Sequence, residues 1–135
     1  MIVPLVNVAS VSASGRVYSQ GIPLVRARGL SVTGRVTFHS SATAGADIEV
    51  YYSPDGKNWD TDPFGTDSIT VTAGATKQST SYIVAPEHGY VKFAVKNNDT
   101  GYALTNVMLW YTIQSWPDGV VQEHGSVLRD QTEVG

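Results

Sequence analysis

From Leu30 to Phe38 apolar and polar positions alternate: Leu30, Val32, Val36 and Phe38 share one side, Ser31, Thr33, Arg35 and Thr37 the other. Successive side chains of an extended chain point to opposite faces, so this period predicts a strand with one buried face. Gly34 stands on the apolar side, where its missing side chain admits a large neighbour or marks a bulge. Asp47–Tyr52 repeats the pattern, with Ile48, Val50 and Tyr52 opposing Asp47, Glu49 and Tyr51. Ser68–Thr72, Gln78–Ala85 and Tyr90–Lys96 are further candidates; in the last, Val91, Phe93 and Val95 turn inward while Lys92 and Lys96 face water.

Between these segments lie Ser40–Gly45, Ser53-Pro-Asp-Gly, Ala73-Gly, Ala85-Pro-Glu-His-Gly and Asn97-Asn-Asp-Thr-Gly, all rich in turn formers. No long run carries a 3.6-residue apolar rhythm, so helix is expected to be nearly absent. Six strands are counted readily, and Val17–Val25 with the N-terminal segment supplies a seventh and eighth; Pro23 places the former at an edge or breaks it. The expected fold is an all-β antiparallel sandwich, jelly-roll-like, with an immunoglobulin-like sandwich as the alternative.

The stretch Thr105–Trp116 departs from the half-wet rule. Val107, Leu109, Tyr111 and Ile113 fill the core, but the opposite side then presents Met108 and Trp110. That second apolar face needs a cover: the N-terminal arm, the tail after Trp116, or another chain. Methionine and large aromatics anchor protein interfaces, and the arm is itself apolar, so Met1, Ile2, Val3, Leu5, Val6, Met108 and Trp110 are the interface candidates.

The chain has 135 residues, 41% of them hydrophobic, which supports one core. The reading is an arm or edge strand over 1–14, a sandwich over 15–116 and a tail over 117–135. The start carries no basic n-region, holds Pro4 and is too short to span a bilayer, so neither a secretory signal nor a membrane segment is expected. Nine basic against twelve acidic residues give a net charge of −3, which offers no broad surface to phosphates and argues against nucleic acid. The basic residues Arg26, Arg28 and Arg35 fit the wet side of a strand. Cysteine is absent, so no disulfide, thiolate nucleophile or cysteine zinc site contributes.

The loop Tyr52–Gly65 is the densest polar feature. Asp55, Asp60 and Asp62 offer oxygens, but their spacing is not that of an EF-hand, and turn-capping aspartates are the simpler reading. Trp59 and Phe64, with Asp60 and Asp62, form a possible platform for a sugar or peptide, or else a plug on the domain. His39, His88 and His124 share no metal-ligand spacing, no serine stands in Gly-x-Ser-x-Gly, and Glu49 and Glu87 read as solvated carboxylates. No catalytic residue, metal or cofactor is expected.

The phrase Ala46-Asp-Ile-Glu-Val-Tyr-Tyr-Ser-Pro-Asp-Gly-Lys-Asn-Trp-Asp-Thr, with Gly89-Tyr-Val-Lys-Phe-Ala-Val-Lys-Asn-Asn-Asp and Val107-Met-Leu-Trp-Tyr-Thr-Ile, resembles the small β-sandwich accessory or decoration proteins of tailed-bacteriophage virions. The resemblance spans roughly Val32 to Ile113 and rests on structural motifs. It implies a virion protein that decorates a capsid or joins a tail assembly. Its expected partners are further copies of itself, a trimer among the allowed sizes, and a major capsid or other virion protein. The rival expectation is a carbohydrate-binding or host-adhesion module using the loop residues.

Overall fold

The structure, a computed structural model, describes residues 2–24, 27–84 and 89–115. Every regular element among them is a strand: β1 (Val3–Val11), β2 (Arg16–Tyr18), β3 (Ile22–Pro23), β4 (Ala27–Thr37), β5 (Ala46–Ser53), β6 (Gly65–Ile69), β7 (Thr76–Val84), β8 (Tyr90–Asn97) and β9 (Leu104–Ser115). Met1, Arg26, Glu87, His88, Trp116, the tail 117–135 and His124 lie outside the described residues.

One sheet has the order β1-β9-β4-β7, and the other β2-β8-β5-β6 with β3 also on β8. All pairings are antiparallel and nested: β5 with β6, β4 with β7, β2 and β3 with β8, β1 with β9. The chain is thus one long hairpin rolled over so that β4 also meets β9 and β5 also meets β8. That winding is a jelly roll, and the immunoglobulin-like alternative falls away.

The alternation at Leu30–Phe38 is realised as read. Leu30, Val32, Val36 and Phe38 are buried with Phe93 and Leu109. Gly34 faces inward, and a Cβ there would come within 2.7 Å of Ile48 Cδ1, so the missing side chain does admit a large neighbour. The segment Val17–Val25 is broken rather than continuous. Between β2 and β3 the Ser19 amide donates to Phe93 O (2.7 Å) while Phe93 N–H finds Ser19 Oγ (2.9 Å), so a hydroxyl replaces a ladder carbonyl. Pro23 follows at the sheet edge, where a missing N–H costs no ladder bond.

Strand β6 starts and ends three residues before the expected Ser68–Thr72. Its alternate positions are Gly65, Asp67 and Ile69, only the last of them apolar, so no hydrophobic period marked it. Asp67 accepts hydroxyl bonds from Ser79 (3.1 Å) and Ser81 of β7, closing the seam between the sheets' edges with polar atoms. Beside this seam a cavity of about 260 Å³ is lined by Val32, Ile48, Val50 and Phe93, with Thr66, Asp67 and Tyr82 around them.

A buried corner ties three loops together. Asn97 is fully buried; its Nδ2 donates to Val11 O, Ser12 O and Tyr102 O, and its Oδ1 accepts from Asp99 N. Asp99 accepts backbone N–H bonds from Thr43, Ala44, Gly101 and Tyr102, which hold its carboxyl down at about 2.

Candidate functional site

The two sheets turn very different outer faces to the surroundings. On β1-β9-β4-β7, Pro4 stands opposite Trp110 and Asn7 opposite Met108, with Thr33 and Arg35 on the other flank. Val107 and Leu109 fill the core as read, whereas Tyr111 and Ile113 are only half-buried against it. Met108 and Trp110 are half-buried on the outside. The N-terminal segment does not lie over them: β1 is the edge strand beside β9, and Val6 and Val11 belong to the core. What leans on the tryptophan is Arg35, whose guanidinium lies 5.5 Å from its ring centre while Nε and Nη2 donate to Gln78 Oε1 (3.1 and 2.8 Å). Val3 and Leu5 are half-buried, and Ile2 is 66% exposed.

On β2-β8-β5-β6 the outward positions were expected to be wet, and several are not. Glu49 is only 5% exposed and Tyr51 is buried. Glu49 Oε1 accepts from Arg16 Nε (2.7 Å) and Tyr51 Oη (2.9 Å), and Oε2 from Arg16 Nη2 (3.2 Å). Burial first, then the bond to the Glu49 carboxylate, pushes the Tyr51 phenol well above the ordinary tyrosine value; the same carboxylate raises the Arg16 guanidinium.

Lys92, expected in water, sits among rings. Its Nζ lies 4.7 Å from the ring centres of Tyr18 and Trp59 and 5.9 Å from that of Tyr51. Alternation along Arg16–Tyr18 aims Arg16 and Tyr18 outward, and β8 brings Lys92 opposite Tyr51. Trp59 reaches the group from the β5–β6 loop because Gly21 leaves room; a Cβ there would lie 3.0 Å from the indole. Sequence reading named Trp59 and missed Arg16, Tyr18 and Lys92; the short alternation Arg16-Val-Tyr was the available signal.

Trp59 therefore turns back onto the domain, while Phe64 is 48% exposed and Asp60 and Asp62 are exposed in the loop. Asp55 caps the turn: Oδ1 accepts the Lys57 and Asn58 amides (both 2.8 Å), Oδ2 the Asn58 side chain, and these bonds hold the carboxyl far below its ordinary value. His39 stacks on Tyr102 at 4.3 Å and accepts the Ser41 amide. Among the described residues no three His, Asp or Glu side chains gather as a metal cluster, and no helix is long and apolar enough to cross a membrane.

No protein-family model and no curated protein matches the sequence. Among solved structures, the exported protein XepA of PBSX aligns with a TM-score of 0.60 at 15% identity, over 99% of this chain and 44% of that one. This chain thus spans less than half of XepA's length. The PRD1 vertex protein P5 aligns at 0.49 and 17% identity, over 84% of this chain and 95% of that chain. A family 16 carbohydrate-binding module aligns at 0.46 and 12%, over 83% and 84%. The likeness to XepA shows a shared fold.

Proposed function

We propose that the chain is a non-catalytic structural protein of a virion, acting in capsid decoration or stabilisation through contacts with its own copies and with a shell protein. The observation that carries this reading is the outer strip of Pro4, Trp110 and Met108 beside the β1 edge, which has no strand neighbour among the described residues. An edge strand offers unpaired N–H and C=O groups to another chain, and an adjoining apolar strip supplies burial, so the two together suit a protein partner. Arg35 is a cover that can swing aside, because its bonds to Gln78 are exposed. A non-catalytic role agrees with where the carboxylates are committed: Glu49, Asp67 and Asp99 each accept two or more bonds that hold strands or loops.

Deleting the arm would remove a core strand, so the test uses surface substitutions. Sedimentation equilibrium of the full chain should find a closed oligomer, with a trimer the first size to check, and Trp110→Ser combined with Ile2→Asp should dissociate it into a monomer that keeps the far-ultraviolet spectrum of the wild type. A wild-type chain that stays monomeric at the highest attainable concentration would overturn the reading.

A further inference from the structure

The opposite face carries a second, independent feature. Lys92 is half-buried among three rings, yet among the described residues its ammonium makes no ion pair and no hydrogen bond; its contacts there are with ring faces. Cation–π contacts stabilise the charge but leave the N–H groups of the ammonium without oxygen acceptors. Beside it Arg16 spends Nε and Nη2 on Glu49, leaving Nη1 free of that carboxylate. The outward positions of β2, β5 and β8 hold Arg16, Lys92 and Lys96 against Asp47 and Glu49, a local excess of positive charge in a chain of net charge −3. Glu49 is itself buried and accepts three bonds, so Arg16 and the Tyr51 ring beside Lys92 are held in place rather than loose.

We propose that this face binds a carboxylated sugar, its carboxylate on Lys92 and the Nη1 side of Arg16, and its pyranose ring against the open side of Tyr18 and the edge of Trp59. The geometry favours a sugar acid because donor and aromatic surface lie within one ring's width: the ammonium is 4.7 Å from each of two ring centres. A ligand must then present an apolar C–H face and a carboxylate on the same rigid ring, and Tyr18, 48% exposed, has the surface to receive it. An acidic peptide carries its carboxylate on flexible methylenes with no flat face beside it. The expected site is the sheet face, with Trp59 as one wall, rather than the loop tip of Asp60, Asp62 and Phe64.

The test is calorimetric titration of the full chain with oligogalacturonate, alginate oligomers and oligosialic acid, each beside its methyl ester, and with polyglutamate. At least one acid should bind, its ester at least about tenfold more weakly, the scale of one lost charge-assisted bond. Lys92→Gln should lower affinity as esterification does, Lys92→Arg should restore part of it, and Tyr18→Ala, at an exposed position, should weaken binding at unchanged thermal midpoint. The proposal is overturned by no binding of any acid, by equal binding of acid and ester, by polyglutamate binding as tightly, or by a folded Lys92→Gln protein that binds like wild type. None of these outcomes touches self-association through the other sheet, which Trp110→Ser reads separately.

Discussion

Each outer face of this sandwich pairs a cation with an aromatic ring, and the two pairings differ in what their members are bonded to. Over β9, Arg35 rests on Trp110, and among the described residues its hydrogen bonds go to the exposed Gln78. Over β8, Lys92 rests among Tyr18, Tyr51 and Trp59, and Tyr51 is in turn tied to a buried carboxylate that accepts three bonds. The same residue types make a removable cover on one side and a fixed polar surface on the other. A buried acceptor organises its neighbours because leaving any donor unpaired there is costly, whereas an exposed pair exchanges freely with water.

The largest expected effect comes from breaking the fixed side. Glu49→Ala strands the Tyr51 hydroxyl and the Arg16 guanidinium and should cost about 2–3 kcal/mol in urea unfolding, since Arg16 is partly exposed and recovers some hydration. A loss below about 0.5 kcal/mol, the range of ordinary surface changes, would erase the contrast between the faces.

Alkaline titration sharpens it next. Tyr51 has a raised folded-state value, so the folded chain holds that proton after the unfolded chain begins to release it near pH 10. Its contribution is complete below about pH 10 and is lost as pH rises beyond it. Tyr51→Phe should flatten that alkaline fall in stability, and a Phe variant with the wild-type profile would contradict the assignment. Asp99 acts in the opposite direction at the far end. Its value is depressed to about 2, so its contribution is present above the ordinary carboxylate range and lost as pH falls through about 2. Acid unfolding of Asp99→Asn should begin from a lower baseline with a shallower slope.

The smallest effect belongs to the removable side. Arg35→Ala should change stability by no more than about 0.5 kcal/mol, while freeing the Trp110 face and raising self-association measured by sedimentation. A loss of self-association on removing Arg35 would make it a contact rather than a cover.

The strands were legible wherever the inner face is apolar, as in β4, β5 and β8, because a period of two needs only the residue types. Strand β6 was displaced in the reading because Gly65 and Asp67 occupy its seam-lining positions, and the partners that explain Asp67 come from β7. The outer faces were legible in part. Met108 and Trp110 stood out because a strand with two apolar sides contradicts a wet face. The β8 face did not, since a lone Lys92 between Val91 and Phe93 reads as an ordinary solvent-facing position. Only the packing of β2, β5 and the loop around Trp59 reveals its surroundings, and those contacts join residues far apart in sequence.

Protein partners that meet the β1–β9 face, as proposed, would bury Met108 and Trp110. Hydroxyl-radical labelling of the full chain, read residue by residue in concentrated and dilute solution, tests this directly. Met108 and Trp110 should become protected on concentration while Tyr18 and Trp59 label equally in both. Unchanged labelling of Met108 and Trp110 in an assembled sample, with protection at Tyr18 instead, would contradict it.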